Sequence, residues 1–217
     1  IMKNEKPVSS SVINRLPRYY RFLGELLDKG VTRISSKELS QLMKVTASQI
    51  RQDLNCFGGF GQQGYGYNVE LLHREIGSIL GVTNLTPAIL IGAGNLGKAI
   101  ANQVDLRRCG FQLIGAFDRT DGTAGQQLAN LTIQDISELE DFCNVHHPRI
   151  AIICVSKQAA ESLADHLVRL GIIGFWNFSS YDFAYSHENV STVNVHLRDS
   201  LMTLSYLVSH RDDAPSC

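Results

Sequence analysis

Residues 87–122 read PAILIGAGNLGKAIANQVDLRRCGFQLIGAFDRTDG. Ala88–Ile91 is wholly apolar, as a strand buried on both faces of a parallel sheet must be. Gly92, Gly94 and Gly97 follow in G-x-G-x-x-G spacing. Such glycines turn the chain, admit a pyrophosphate and let the next helix pack closely. A helix over about Asn95–Val104 would aim its free N–H groups at that phosphate. Phe111–Phe117 reads as a second strand, and Asp118 ends it 21 residues after Gly97, where an acid takes ribose hydroxyls. The stretch predicts a Rossmann unit that holds NAD(H) through Gly92, Ala93, Gly94, Asn95, Leu96, Gly97 and Asp118. The carboxylate favours NAD(H) over NADP(H), whose 2′-phosphate it would repel.

Downstream, short apolar strands and helices keep alternating. Ser137–Cys143 reads as a short helix, Ile150–Val155 as a buried strand, and Gln158–Leu170 as a helix with Leu163, Leu167 and Leu170 inward. Gly174–Asn177 and Val190–Val195 read as further strands. Ligands lie at strand ends in such sheets, so Val155, Ser156, Asn177 and Phe178 are candidates for the nicotinamide half. The last helical stripe, Leu197, Leu201, Leu204 and Leu207 or Val208, suits packing on its own domain or on a partner subunit.

A second glycine match lies upstream in FGGFGQQGYGYN, residues 57–68. Its context fails, because a dinucleotide loop follows a strand and opens a helix. Here the preceding QIRQDLNCF is helical, and Gly66 interrupts the segment on the other side. A β-hairpin wing explains these glycines better: they supply positive φ and let backbone approach a DNA groove. Phe60, Tyr65 and Tyr67 would pack the hairpin or lie along that groove.

The helices before the wing fit this reading. Residues 11–29 place Val12, Ile13, Leu16, Tyr20, Leu23, Leu26 and Leu27 on one stripe, with a start or a kink at Pro17. Ser35 and Glu38 form a capping box for a helix starting at Ser36; Thr46 and Gln49 form another for a helix starting near Ala47. The third helix turns Ala47, Ile50 and Leu54 inward and Ser48, Gln49, Arg51, Gln52 and Asn55 outward. Together they suggest a helix-turn-helix whose polar face suits a major groove. Residues 68–80 close the unit as a helix capped by Asn68.

Composition agrees. The 217 residues are 44% hydrophobic and 19% charged, with no apolar run long enough to span a membrane. The N-terminus has no signal-peptide core, so a cytoplasmic protein is expected. Residues 1–83 carry 11 Lys and Arg against 7 Asp and Glu; residues 84–217 carry 9 against 14. A net +4 on the first part suits a polyanionic partner such as double-stranded DNA. The five cysteines form no C-x-x-C pair and read as buried reduced thiols. The expected divisions are a winged helix-turn-helix domain with linker over 1–83, a Rossmann doubly wound parallel sheet over 84–196, and a dimerisation helix and tail over 197–217.

Catalysis is not expected. A dehydrogenase needs an acid or base beside the hydride acceptor, and little chain remains to build a substrate pocket. His187 and His196 alone lie late enough to approach the cleft, and neither has a catalytic setting. NAD(H) is then a regulatory ligand. The competing readings are a small NAD-dependent oxidoreductase with no DNA role and a nucleotide-binding module that binds no DNA.

RLPRYYRFL, ISSKELSQL, TASQIRQDLNCFGGFGQQGYGYNVELL and IGAGNLGKAIAN together resemble the Rex family of redox-sensing transcriptional repressors, over about residues 11–208. The resemblance implies a homodimer with a C-terminal helix swapped between subunits. It implies binding to AT-rich inverted repeats when NADH is low, and release when NADH closes the dimer, with NAD+ competing for the site. By matching position, Thr46, Ser48, Gln49, Arg51 and Gln52 would face the major groove, and Gly59, Gly61, Gly64 and Tyr65 the minor groove. Arg21 matches an Arg that couples the domains in some members. The chain departs from the pattern at Gln103, where many members have Tyr, and at Asn194-Val195-His196, where many read N-V-D. Ser156 replaces a common Pro, and SSYDFAYSHENVS replaces the usual A-P and V-P turns. These changes bear on how NADH drives release, and His196 would open the switch to pH.

Overall fold

Helix α1 spans Ser10–Asp28 and contains Pro17 in its interior. It therefore starts well before the proline. A proline removes one helical N–H and crowds the carbonyl four residues back. The helix continues because its buried residues, Val12, Leu16, Tyr19 and Leu23, lie on both sides of Pro17. Tyr19, outside the expected stripe, is fully buried, whereas Ile13 is exposed. Tyr20 instead stacks on His73, ring centroids 4.1 Å apart.

The computed structural model describes residues 8–58, 61–62 and 65–211 and divides the chain into two units, up to Thr83 and from Asn84. In the first, β1 (Arg33–Ile34) precedes α2 (Ser36–Met43) and α3 (Ala47–Asn55); β2 (Gly61–Gln62), β3 (Gly66–Asn68) and α4 (Val69–Leu80) follow. Both bonds of the Ser35–Glu38 capping box are present. At α3 only half of the expected box forms: Thr46 Oγ1 accepts from the Gln49 N–H, but the Gln49 side chain turns to Asp53.

The strands form an antiparallel sheet in the order β1-β3-β2. This is a winged helix-turn-helix. Gly66 is required at φ +69°, where a Cβ would lie 2.7 Å from the Ile34 carbonyl oxygen. Tyr67 joins the core and Tyr65 is 70% exposed, so the two wing tyrosines do different things. Asn68 ends β3 and caps α4 by accepting from the Leu71 N–H. One core joins Leu16, Tyr19, Leu23, Leu39, Met43, Ile50, Leu54 and Ile76. Phe60, Gly59 and Gly64 lie outside the described residues, and only the backbone of Gly61 is described.

The second unit is a seven-stranded sheet in the order β10-β9-β8-β4-β5-β7-β6. Its strands are β4 (Thr86–Ile91), β5 (Phe111–Asp118), β6 (Gln127–Leu128), β7 (Leu131–Asp135), β8 (Ile150–Ile153), β9 (Gly174–Asn177) and β10 (Ser191–Asn194). All pairings are parallel except β6 with β7. Setting the β6 edge aside, this is the doubly wound order of a Rossmann sheet, which reverses direction between β4 and β8. Helix α5 is Asn95–Gln103, α6 Leu139–His146, α7 Lys157–Arg169, α8 Phe183–Ser186 and α9 Leu197–Ser209. α6 starts later than expected because Asp135 caps a 3-10 turn over Ile136–Glu138 first. Period-two alternation sends Ile89, Ile91, Phe117, Ala151 and Ile153 to one sheet face and Leu90, Ala116 and Ile152 to the other. No described helix is long and apolar enough to cross a membrane. Cys143 is buried and Cys154 half-buried, but Cys56 and Cys109 are exposed, against the expectation of buried thiols.

Candidate functional sites

Two sites emerge, one in each unit. In the second, the ends of β4, β5 and β8 enclose a cleft of about 340 Å³ lined by Gly92, Gly94, Asp118, Thr120, Val155 and Ser156 among others. It sits where the strand order reverses, the position at which such sheets take ligands.

The three glycines there are glycine for different reasons. Gly92 has φ +95°, and a Cβ would lie 2.6 Å from the Cys154 carbonyl oxygen. At Gly97 a Cβ would overlap the Gly92 carbonyl oxygen, so α5 can approach the strand only without one. Gly94 is unlike both: φ is −69°, and a Cβ would meet nothing within 4 Å. The protein itself does not require glycine at 94, and the empty space beside it is where a pyrophosphate would lie. Gly94 is also the N-cap of α5 and brings no side chain to the helix N–H groups, which leaves them for an anion.

Asp118 closes the cleft's other side. Its Oδ2 accepts from the Ala93 N–H at 2.6 Å and its Oδ1 from the Thr120 N–H at 2.7 Å. Burial works to raise its pKa, but hydrogen bonds from Thr120, Ala93 and Arg119 outweigh it and hold the carboxyl below its usual range. It is an anion at neutral pH, tied to the glycine loop and lining the cleft, an acceptor only, as recognition of a sugar hydroxyl requires. The donor set and the open space beside Gly94 fit a dinucleotide.

The nicotinamide candidates divide. Val155 and Ser156 line the cleft, and Ser156 caps α7 through the Ala159 N–H. Asn177 is fully buried. Its Nδ2 donates to the Tyr181 carbonyl (2.6 Å) and Asn194 Oδ1 (2.7 Å), while its Oδ1 accepts from the Ser179 N–H and Oγ. That exhausts the amide, so the side chain ties β9 to β10 and offers a ligand nothing further. Phe178 is half-buried and packs edge-on against Trp176 at 4.8 Å. Cys154 also lines the cleft, but burial pushes its thiol up to about 12, so it stays protonated.

In the first unit, Thr46, Ser48, Arg51 and Gln52 are exposed on α3 and Gln49 is half-buried. Arg51 Nη1 donates to Ser36 Oγ at 3.0 Å, bridging the two helices of the turn. Arg33 Nη1 donates to the Tyr65 carbonyl at 3.2 Å, and its guanidinium lies 5.9 Å from the Tyr65 ring centroid, fixing the base of the wing. Sequence reasoning missed Asp53, which is fully buried on α3 and held by Arg15 Nε at 2.7 Å, Arg15 Nη2 at 2.8 Å and Tyr19 Oη at 2.9 Å. The R-x-x-x-Y spacing on α1 was the available signal. Arg21, Gln103 and His196 are exposed.

Comparison with known proteins agrees with both halves. Residues 7–55 match the family described as putative DNA-binding protein N-terminus, and residues 83–181 match the CoA binding domain family. A redox-sensing transcriptional repressor Rex of Clostridium perfringens is 49% identical over 97% of this chain and 99% of its own length. The Rex of Clostridioides difficile is 49% identical over 95% and 98%. The chain belongs to the Rex family. A crystal structure of the Rex-family repressor RSP in complex with beta-NAD+ and operator DNA matches at TM-score 0.88 and 49% identity, covering 95% of each chain. RSP in complex with beta-NADH matches at 0.86 and 46% identity, covering 95% of this chain and 97% of RSP. These Rex relatives are named as repressors, not enzymes.

Proposed function

We propose that this chain is a DNA-binding repressor that occupies AT-rich inverted repeats as a homodimer and is released by NADH. The observation that carries the reading is the pairing, on one chain, of a winged helix-turn-helix with a Rossmann cleft whose Gly94 only a ligand explains. Ser48, Gln49, Arg51 and Gln52 reach base edges and phosphates, and the wing, with Gly59, Gly61, Gly64 and Tyr65, follows the minor groove. The α5 N-terminus holds the pyrophosphate, Asp118 the adenosine ribose, and Val155 and Ser156 border the cofactor. The dinucleotide acts by differential affinity for two dimer arrangements, not by turnover.

The dimer contact is assigned to α9. None of its residues is buried in the single chain, and Leu197, Leu201, Met202, Leu204, Tyr206, Leu207 and Val208 are each more than half exposed. Seven large apolar side chains on one helix mark an interaction surface. The test is a titration of an AT-rich inverted repeat with NADH, with NAD+ and with neither. Loss of DNA binding with NADH alone supports the repressor; binding unaffected by NADH refutes it. NADH oxidation with an added substrate would favour an oxidoreductase.

A further inference from the structure

Asp53 is an acid on the inner side of the helix assigned above to the major groove. It accepts four hydrogen bonds: two from Arg15, one from Tyr19, and one from Gln49 Nε2 at 2.8 Å, a turn earlier on the same helix. Burial alone would raise its pKa. The hydrogen bonds from Arg15, Gln49 and Tyr19 outweigh that and hold it below the usual carboxylate range. Asp53 is therefore an anion, and an ionised carboxylate only accepts.

That fixes the orientation of Gln49. The two ends of a carboxamide are alike in shape, and a half-turn exchanges donor for acceptor. Against a fixed, acceptor-only anion, only the NH2 end fits. One N–H is then engaged, and the other N–H and Oε1 remain. Gln49 is half-buried, and its terminal amide is held on one side by the Asp53 carboxylate. A donor beside an acceptor is what adenine N7 and N6 require in the major groove. Arg15 and Tyr19 anchor Asp53 from α1, so the clamp is referenced to the domain core rather than to α3 alone.

We propose that Asp53 is a positioning residue for sequence readout: it takes the Gln49 hydrogen trans to Oε1 and presents the cis hydrogen and Oε1 as an adenine-reading edge. This rests on the DNA-binding reading above. Without the clamp the amide would rotate freely, and the same side chain would accept other bases.

The test is a base-preference measurement, which a merely structural role would not move. The wild-type chain, free of dinucleotide, selects duplexes from a randomised library, and the winner is then altered one base pair at a time. Wild type should lose roughly 5- to 100-fold at one A·T pair in each half-site, the size of a single bidentate contact. Gln49→Ala and Asp53→Asn should each erase that preference while discrimination elsewhere persists, and the double variant should lose no more there than either single. A uniform loss across all duplexes in Asp53→Asn, with the preference intact, overturns the proposal. If Asp53→Asn unfolds, Gln49→Glu replaces it: it sets a carboxylate against Asp53 on a half-exposed site, and a retained adenine preference is equally fatal. Wild type that binds no duplex refutes the repressor reading itself. Sequence-selective wild type with unchanged preference in Gln49→Ala refutes only the role of this clamp.

Discussion

Gly94→Ala separates a glycine needed by a ligand from one needed by the fold. The added Cβ would meet no atom within 4 Å, and φ −69° is open to any residue. Alanine is a poorer N-cap than glycine by roughly 0.5–1 kcal/mol. It also restricts the unfolded chain, which returns about 0.4–1 kcal/mol. The two nearly cancel, so Tm without ligand should move by no more than about 4 °C. NADH binding should behave oppositely, because on the proposed reading the methyl would stand in the path of the pyrophosphate. Losing two charge-assisted hydrogen bonds at about 1.5–3 kcal/mol each means a fall in affinity of at least roughly 100-fold. Thermal unfolding with and without NADH reads both effects. At 100 times its Kd the ligand stabilises wild type by about 2.7 kcal/mol. Gly94→Ala should show the unliganded Tm and, at the same concentration, a stabilisation of no more than about 0.4 kcal/mol. Gly97→Ala is the control, since its Cβ overlaps the Gly92 carbonyl oxygen and should lower Tm with no ligand present. A normal NADH shift in Gly94→Ala would refute the assignment of the loop.

The same geometry sets other outcomes. Asp118→Ala should weaken the NADH response, by calorimetry, and leave dinucleotide-free DNA binding intact; equal loss of both would break the separation of the two sites. Arg51→Ala should lower DNA affinity by on the order of 1–3 kcal/mol if it reads a base, measured by fluorescence anisotropy. Leu201→Glu with Leu204→Glu should convert the dimer to a monomer in light scattering, and an unchanged mass would reject α9 as the contact. Asp53 has an ordinary pKa of 3.8 and a lower one when folded. Its stabilisation is therefore present above 3.8 and lost as pH falls through the folded value. Acid unfolding of wild type should be steeper in that window than that of Asp53→Asn.

The nucleotide unit was legible because its signals are local and dense. GAGNLG, the apolar strand before it and Asp118 lie within one stretch, and each has a physical role the others corroborate. Gly174–Asn177 was read with the bounds the structure has. What escaped depended on distant partners. β1 and β6 have two residues each, too few for any period, and exist only because β3 and β7 pair with them. Asp53 violates the rule that acids face outward; Arg15 and Tyr19, 38 and 34 residues earlier, help make its burial tolerable. Asn177 lies at a strand end, as a ligand contact should, but its amide is consumed by Asn194 and the turn after it. Pro17 read as a helix start or a kink, and the start failed because local preference was weighed without the core that overrides it.

The exposed apolar row on α9 carries a consequence in mass action. A helix that is covered only when a second copy arrives gives each subunit a stability that rises with its own concentration. Every tenfold dilution removes about 1.4 kcal/mol from the dimer, a sizeable share of the margin that holds a domain folded. On the dimer reading, the number of copies made is thus itself an input: scarcity would disarm the repressor before any dinucleotide does.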